Sequence, residues 1–181
     1  MDQIGILPGH GSREAGRYDP GTVSPAGWTE ADLVRAVAVA LLAELPESRI
    51  ASSGSYRDRG ADLARALPGA PVVQLHADAT AAETSPDRAT VWTWPGNTRS
   101  RHLADLVRAE LASVVPWTVR ILEASSTIDW HAGARACLAA VAQDAILVEV
   151  GYADGAIGRH LLPALAPAIG AAIARGCRAY R

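Results

Sequence analysis

Short apolar runs alternate with amphipathic stretches along this chain, and this alternation limits the possible folds more than any other feature. Six apolar runs are typical of strands, and they begin at Ile4, Arg49, Pro71, Thr90, Thr118 and Ala145 (IGIL, RIAS, PVVQLH, TVWTW, TVRILEA and AILVEVGY). Four intervening segments have helical periodicity, and they begin at Glu30, Arg59, Thr98 and His131. This order predicts an α/β fold, with a mostly parallel central sheet covered by helices on both faces.

The length of the chain favours a single domain over residues 1–181, and its charge limits the kinds of partner. A chain of 181 residues can bury a core without disulfides. The 17 basic and 19 acidic side chains leave a formal charge of only −2, which argues against nucleic acid or an anionic membrane as the main partner. We therefore expect a monomer with neither a nucleic-acid partner nor membrane insertion.

The cysteines and the N-terminal sequence favour synthesis in a reducing cytoplasm. Cys137 and Cys177 are far apart in sequence and form no CxxC pair, so we expect two neutral thiols. The N-terminus has no basic region followed by a long apolar stretch, which is how a secretory signal begins. The most apolar region, near the C-terminus, is interrupted by Pro163 and Pro167 and is too short for a membrane span.

Polar residues directly follow or interrupt three of the predicted strands, where such sheets bind their ligands. His10 follows the first strand, His76 ends the third, and Glu149 lies within the last. A fourth group comes from a helix: Thr29 begins a capping-box-like sequence that puts Glu30 in the first helical turn. Side chains in a first turn lean back toward the helix N-terminus, so we expect Glu30 to point at the strand ends.

Two imidazoles and one carboxylate at a single edge are the donor set of a catalytic zinc site. His10, Glu30 and His76 would leave a fourth position for water, and Glu149 would be the general base. Each residue also has a plainer interpretation. His10 suits an ordinary or phosphate-binding loop, Glu30 a helix-start acid, and His76 a hydrogen-bonded strand end.

Other aromatic side chains have weaker functional signals. Trp28 precedes Glu30 and could form the floor of a sugar or peptide groove, while His131 follows Asp129 and Trp130 and could lie near the cleft. His102 and His160 lie on predicted helices, where solvated or packing roles are the expectation. The Gly- and Pro-rich segment after the first strand predicts one long surface loop.

The ordered set of these motifs resembles a known family, the zinc-dependent N-acetylmuramoyl-L-alanine amidases of the cell-wall hydrolase type. That family has a Gly-His-Gly, an Asp-Pro-Gly loop, a helix-start Glu, a Ser-x-His-x-Asn strand end and a Glu-x-Gly-Phe segment, in that order. The matching positions here are His10 in PGHGS, Asp19 in YDPGT, Glu30 in WTEADL, His76 in VVQLHADA and Glu149 in LVEVGYAD.

The resemblance implies one zinc ion per chain, bound by His10, Glu30 and His76, with Glu149 as the catalytic acid/base. The reaction would be hydrolysis of the amide between N-acetylmuramic acid and L-alanine in peptidoglycan. Asp78 replaces the family's Asn and Tyr152 its Phe, and we expect these two residues to affect substrate contacts.

Two alternatives stay open at this stage: a metal-dependent hydrolase of small acylated amino acids, and an inactive muropeptide-binding homologue. The lack of a recognisable secretory signal and of a wall-binding domain is similar to phage endolysins. We therefore expect a bacteriolytic enzyme that reaches the cell wall after host lysis.

Overall fold

A computed structural model of the chain describes residues 3–11, 13–14, 17–51, 53–80, 87–128, 131–141 and 144–180. The strands are β1 Gly5–Pro8, β2 Arg13–Glu14, β3 Arg17–Tyr18, β4 Arg49–Ile50, β5 Val72–Asp78, β6 Arg88–Thr93, β7 Thr118–Glu123 and β8 Ala145–Tyr152. The helices are α1 Glu30–Glu44, α2 Tyr56–Ala66, α3 Thr98–Leu111, α4 Ala132–Ala139 and α5 Gly158–Ala179.

Six of these strands form the central sheet, in the order β4-β1-β5-β8-β6-β7. Neighbouring strands are parallel except β6 and β8, which are antiparallel. The predicted mostly parallel sheet is therefore confirmed. Because β1, β5 and β8 run in one direction, their carboxyl ends meet at the same edge, while β6 begins there.

Helices cover both faces of the sheet, as predicted. One core cluster packs α1, α3 and α5 against the sheet, and a smaller cluster packs α2 and α4 against the other face. Side chains on β8 alternate between the clusters: Ile146 and Val148 belong to the first, and Leu147 to the second. By the same alternation Glu149 lies on the α2/α4 face, beyond the part that Leu147 fills.

The longest helix, α5, contains Pro163 and Pro167, which the sequence suggested as interruptions. Pro163 has no N–H to donate to the carbonyl of Arg159, four residues earlier. The indole Nε1–H of Trp28 donates to that carbonyl at 2.8 Å. A donor from outside the helix thus satisfies the acceptor that the proline leaves open.

Helix α5 is also long and apolar enough, by length and composition alone, to cross a membrane. Half of the most apolar stretch of α5 is buried inside the protein. The buried apolar side chains of this helix belong to the core shared with α1 and α3. A helix buried in a protein core can be equally long and apolar, so length and composition do not decide whether α5 enters a membrane. The expectation of no membrane insertion stays a prediction.

The segment after β1 contains more regular structure than the single loop that the sequence predicted. Strands β2 and β3 pair with each other in antiparallel orientation, and the amide of Gly11 donates to the carbonyl of Asp19 at 2.8 Å. Val23 and Thr29 form a further isolated bridge. Strands of two residues are too short to show a period, which is why the sequence pattern missed them.

Candidate metal centre

His10 lies just beyond the end of β1, and two contacts fix its position. The backbone continues the parallel ladder for one residue, since the amide of Gly9 donates to the carbonyl of Leu75 at 2.8 Å. The His10 ring places Nδ1 2.7 Å from Oδ2 of Asp19. The other oxygen of Asp19 accepts from the amide of Gly21 at 3.0 Å, so this carboxylate is itself held in place.

The charge of Asp19 is stabilised where it meets His10. Burial alone would raise the pKa of Asp19, but the hydrogen bond from the Gly21 amide and the contact with His10 together lower it. An ionised Asp19 accepts a hydrogen bond from Nδ1–H of His10, which directs the lone pair of Nε2 the other way.

A buried arginine, Arg59, also holds the end of β1 in place. Arg59 lies in α2 and is 1% exposed. Its guanidinium donates to the carbonyl oxygens of Pro8 at 2.6 Å and Gly9 at 3.3 Å, and lies 5.0 Å from the centre of the Tyr56 ring. The segment that carries His10 is therefore fixed to the helix that carries Tyr56.

Glu30 is the first residue of α1, and its side chain is almost completely buried. Thr29 caps the helix by accepting from the amide of Asp32 at 3.2 Å, as the capping-box pattern predicts. The Glu30 carboxylate accepts two backbone hydrogen bonds, from Thr22 to Oε2 at 3.1 Å and from Ala77 to Oε1 at 3.0 Å. Both oxygens are thereby fixed in direction.

The structure brings the three predicted metal ligands together. Glu30 lies between the two imidazoles, with Oε1 3.2 Å from Nδ1 of His76 and Oε2 3.4 Å from Nε2 of His10. The two rings meet edge to face, with their centres 5.4 Å apart. One donor atom from each residue lies within 4.8 Å of the other two.

The electrostatics of Glu30 favour a charged carboxylate at this position. Burial would raise the pKa of Glu30, but the hydrogen bond and charge of His76, the charge of His10 and the Ala77 amide outweigh it and lower the pKa. A carboxylate that stays ionised while buried is a ready ligand for a cation.

Zinc fits this arrangement by donor type and spacing. Two imidazole nitrogens and one carboxylate oxygen are the donors of open catalytic zinc sites. In a tetrahedral site, bonds of roughly 2.0–2.2 Å would put those donors about 3.4 Å apart. The donor atoms all lie within 4.8 Å of one another, so His10, Glu30 and His76 would have to draw together by roughly an ångström to hold an ion.

Glu149 lies beside the candidate ligands, because it pairs in register with His76 across β5 and β8. Its Oε2 is buried, and no hydrogen-bond partner for it occurs among the described residues. Burial first, and then the negative charges of Asp78 and Glu30, raise the pKa of Glu149 well above its usual value. The surroundings therefore favour the protonated form of this carboxyl group.

Two predicted substrate contacts, Asp78 and Tyr152, are neighbours that follow His76 and Glu149 along β5 and β8. They pair across β5 and β8 beyond a local irregularity in the register. Burial, followed by the contact with Asp78, raises the pKa of Tyr152. Arg88, which the sequence did not single out, donates to the Tyr152 hydroxyl at 2.8 Å, with its guanidinium carbon 5.2 Å from the ring centre.

The other two predicted substrate contacts have packing partners in the structure. Trp28 packs against the main core and donates to α5, as described above. His131 is buried, with its ring 4.7 Å from that of Trp92 and Nδ1 accepting from the amide of Ser125 at 3.0 Å. A substrate role for Trp28 and His131 stays a prediction.

Tyr56 and Gln74 contact the far side of His76, and sequence reasoning missed both. Tyr56 donates its hydroxyl hydrogen to Oε1 of Gln74 at 2.6 Å and lies 3.1 Å from Nε2 of His76. Gln74 precedes His76 by two residues, so the alternation of β5 could have indicated that both share a face. The sequence has no comparable signal for Tyr56.

Solved structures of several amidases have the same fold. The N-acetylmuramoyl-L-alanine amidase AmiC2 of Nostoc punctiforme is 20% identical with a TM-score of 0.78, covering 98% of this chain and 96% of that one. The catalytic domain of CwlV, an amidase from Bacillus (Paenibacillus) polymyxa var. colistinus, is 20% identical with a TM-score of 0.74, covering 97% and 96%. An N-acetylmuramoyl-L-alanine amidase from Clostridium difficile 630 is 20% identical with a TM-score of 0.77, covering 98% and 95%.

These structural similarities establish the fold, whereas membership of a family is established by the sequence. None of the curated proteins matches this chain. The family model described as N-acetylmuramoyl-L-alanine amidase matches residues 4–178, which include every motif position that the resemblance used. The chain therefore belongs to the N-acetylmuramoyl-L-alanine amidase family.

Proposed function

We propose that this chain hydrolyses the amide between N-acetylmuramic acid and L-alanine in peptidoglycan with one zinc ion, bound by His10, Glu30 and His76. The observation that carries the proposal is the convergence of one donor atom from each of these residues within 4.8 Å. When bound, zinc acts as a Lewis acid toward the scissile carbonyl and lowers the pKa of water.

Glu149 is the proposed acid/base. Its position beside His76 in the register supports this role, because Glu149 lies next to the proposed ligands but outside the group of donors that converge. Its raised pKa supports a role in delivering a proton to the leaving amine of L-alanine. A cation bound by its neighbours would lower that pKa toward the working range, so that Glu149 can also accept a proton from water.

Asp78 and Tyr152 are the proposed contacts for the substrate beside Glu149. The contact of Arg88 with Tyr152 supports this, because the guanidinium holds the tyrosine hydroxyl in one orientation. A fixed hydroxyl and a carboxylate beside the reacting amide suit hydrogen-bond donors and acceptors of a peptide backbone.

The test is hydrolysis of purified peptidoglycan by purified protein, with metal content measured on the same sample. We expect about one zinc per chain, new L-alanine amino termini without new reducing sugar ends, loss of activity with chelator, and recovery with zinc. Activity that survives complete removal of the metal would overturn the proposed metal role.

Two other outcomes would support the remaining alternatives. Release of product from a small acylated amino acid, with intact walls untouched, would favour an amidohydrolase of small substrates. Binding of muropeptide without hydrolysis at any zinc concentration would favour an inactive homologue. Comparing zinc with other divalent ions in the same assay identifies the metal, because the donor set alone accommodates several.

The remaining expectations complete the proposal. We propose that residues 1–181 act as one domain and as a monomer, which light scattering would test. Cytoplasmic synthesis followed by an endolysin-like attack on the wall is part of the same proposal. Lysis of a host on expression from inside, measured with and without a separate membrane-permeabilising protein, would test it.

A further inference from the structure

The two imidazoles of the candidate metal centre differ in what contacts their outer ring nitrogen. Nδ1 of His10 faces the carboxylate of Asp19, which only accepts hydrogen bonds when ionised. Nε2 of His76 lies 3.1 Å from the hydroxyl of Tyr56, which can either donate or accept. In this structure Nδ1 of His76 lies 3.2 Å from Oε1 of Glu30, so Nδ1–H can donate to that carboxylate. With a metal on Nδ1 the hydrogen must instead be on Nε2, where Tyr56 would have to accept it.

The hydroxyl hydrogen of Tyr56 points to Gln74. The hydroxyl oxygen of Tyr56 lies 2.6 Å from Oε1 of Gln74, and a carbonyl oxygen can only accept. Gln74 is fully buried on β5, two residues before His76 and on the same face of the strand. With its hydrogen given to Gln74, the oxygen of Tyr56 can only accept from Nε2–H of His76.

The surroundings keep this direction of hydrogen bonding in place. A tyrosine hydroxyl ordinarily keeps its hydrogen near pH 7, so Tyr56 has one hydrogen to donate. Cys137 approaches Nε2 of His76 only to 3.9 Å, further than Tyr56 does. Cation–π contact with Arg59 at 5.0 Å holds the Tyr56 ring where the hydroxyl meets both partners.

We propose that Tyr56, aligned by Gln74, is a positioning residue that holds His76 with hydrogen on Nε2 and the lone pair of Nδ1 directed at the metal. The inference rests on the proposed function, since it assigns a purpose to residues behind one of the proposed ligands. Tyr56 does for His76 what the Asp19 carboxylate does for His10.

The test measures zinc affinity by competition with a chromophoric chelator. Tyr56→Phe removes only the hydroxyl, and we expect it to weaken zinc binding about 10–100-fold. Gln74→Met removes the acceptor, so that Tyr56 can turn its hydrogen toward His76, and affinity should fall in the same direction. Because both changes disturb one arrangement, the double variant should bind little more weakly than Tyr56→Phe alone.

Tyr180→Phe is the matched control. Tyr180 is also buried, its ring lies 5.6 Å from that of His102, and its hydroxyl accepts from Arg99, outside the candidate metal centre. Its loss should leave zinc affinity unchanged. Unfolding in excess chelator separates a general loss of stability from a loss of metal binding, since the proposal concerns only the second.

A second readout reports the nitrogens directly. In ¹H–¹⁵N spectra of the zinc-loaded wild type, His76 should have hydrogen on Nε2 and the metal on Nδ1. The opposite assignment, or equal zinc affinity of Tyr56→Phe and the wild type, overturns this inference while leaving the proposed function intact. A wild type that binds no zinc overturns both.

Discussion

His76 and Glu149 pair in register across β5 and β8, so a proposed metal ligand and the proposed acid/base lie side by side on one face of the sheet. The two strands are neighbours although β6, α3, β7 and α4 lie between them in sequence. This pairing, more than any loop, fixes the distance between the candidate metal centre and the proposed proton donor. It suggests experiments that separate metal binding from proton transfer.

The first prediction concerns the reaction. Glu149→Gln keeps the shape of the side chain but removes its ability to exchange a proton, so we expect kcat to fall by about 10²–10⁴-fold. Zinc content should not change, because Glu149 is outside the group of donors that converge. Steady-state hydrolysis and metal analysis of the same sample measure both quantities.

Glu47→Gln is the matched control, since Glu47 is exposed and lies in the turn after α1, away from the centre. It should behave as the wild type in both measurements. Full turnover by Glu149→Gln would remove Glu149 from the mechanism, and loss of zinc along with turnover would make it part of the metal site.

The second prediction concerns stability and pH in the metal-free protein. Burial raises the folded-state pKa of Glu149 above its unfolded value, so the folded protein retains a proton that the unfolded chain releases. The stability that this proton provides is fully present below about pH 4.5, the ordinary carboxyl value, and is lost as the pH rises through the folded pKa.

Glu149→Gln has no such proton to lose. In excess chelator, its free energy of unfolding should exceed that of the wild type by about 1–3 kcal/mol at high pH, the range for an unpaired buried polar group. The difference should vanish near pH 4. Urea unfolding at several pH values measures it, and a difference that does not vary with pH would contradict the assignment.

The alternation of apolar and amphipathic segments sufficed for the sheet and the two helical layers, and the ordered set of motifs sufficed for the family. The positions of His10, His76 and Glu149 could also be predicted, because carboxyl ends of parallel strands meet at one edge. Glu30 was accessible through a different rule, the capping pattern that begins with Thr29. Each of these signals lies within a short stretch of the chain, so it can be recognised in a single sequence.

Contacts made by distant residues left no such signal. Tyr56 lies on α2 and contacts His76 only because that helix packs on the sheet, and Arg59 reaches the end of β1 for the same reason. A helix around His160 was predicted, but its continuation through Pro163 was not, because the compensation for Pro163 comes from Trp28, more than a hundred residues earlier. In each case the contact exists only because tertiary packing brings the two residues together.

The third prediction tests that compensation. Trp28→Phe leaves the Arg159 carbonyl without its donor, and we expect a loss of about 1 kcal/mol in the free energy of unfolding, beyond any loss of packing. Pro163→Ala supplies an N–H to the same carbonyl from within α5. In that background Trp28→Phe should cost less, which a double-mutant cycle by chemical unfolding measures.

Trp94→Phe provides the control for loss of an indole, because Trp94 is 42% exposed and lies outside α5. Its cost should be the same with Pro163 and with Ala at that position. If Trp28→Phe also cost the same in both backgrounds, the indole and the proline would not share the Arg159 carbonyl.

The fourth prediction uses two glycines with the same backbone conformation. Gly21 and Gly69 have φ of +64° and +77°, so an alanine at either position costs about 1–2 kcal/mol in the left-handed region. A Cβ on Gly69 would meet no atom within 4 Å, whereas one on Gly21 would lie 2.7 Å from Oε2 of Glu30 and 2.7 Å from Cγ of His10. Only Gly21→Ala must therefore displace two proposed ligands.

We expect both variants to lose stability in excess chelator, with the larger loss in Gly21→Ala, while Gly21→Ala alone loses zinc affinity, by about 10–100-fold or more. Gly69→Ala thus controls for backbone strain, and the difference between the variants isolates the contact with Glu30 and His10. Chelator competition measures zinc affinity, and urea unfolding measures stability. Equal zinc affinity in the two variants would mean that the Gly21 backbone does not shape the metal centre, because the clash would then have been absorbed without moving either ligand.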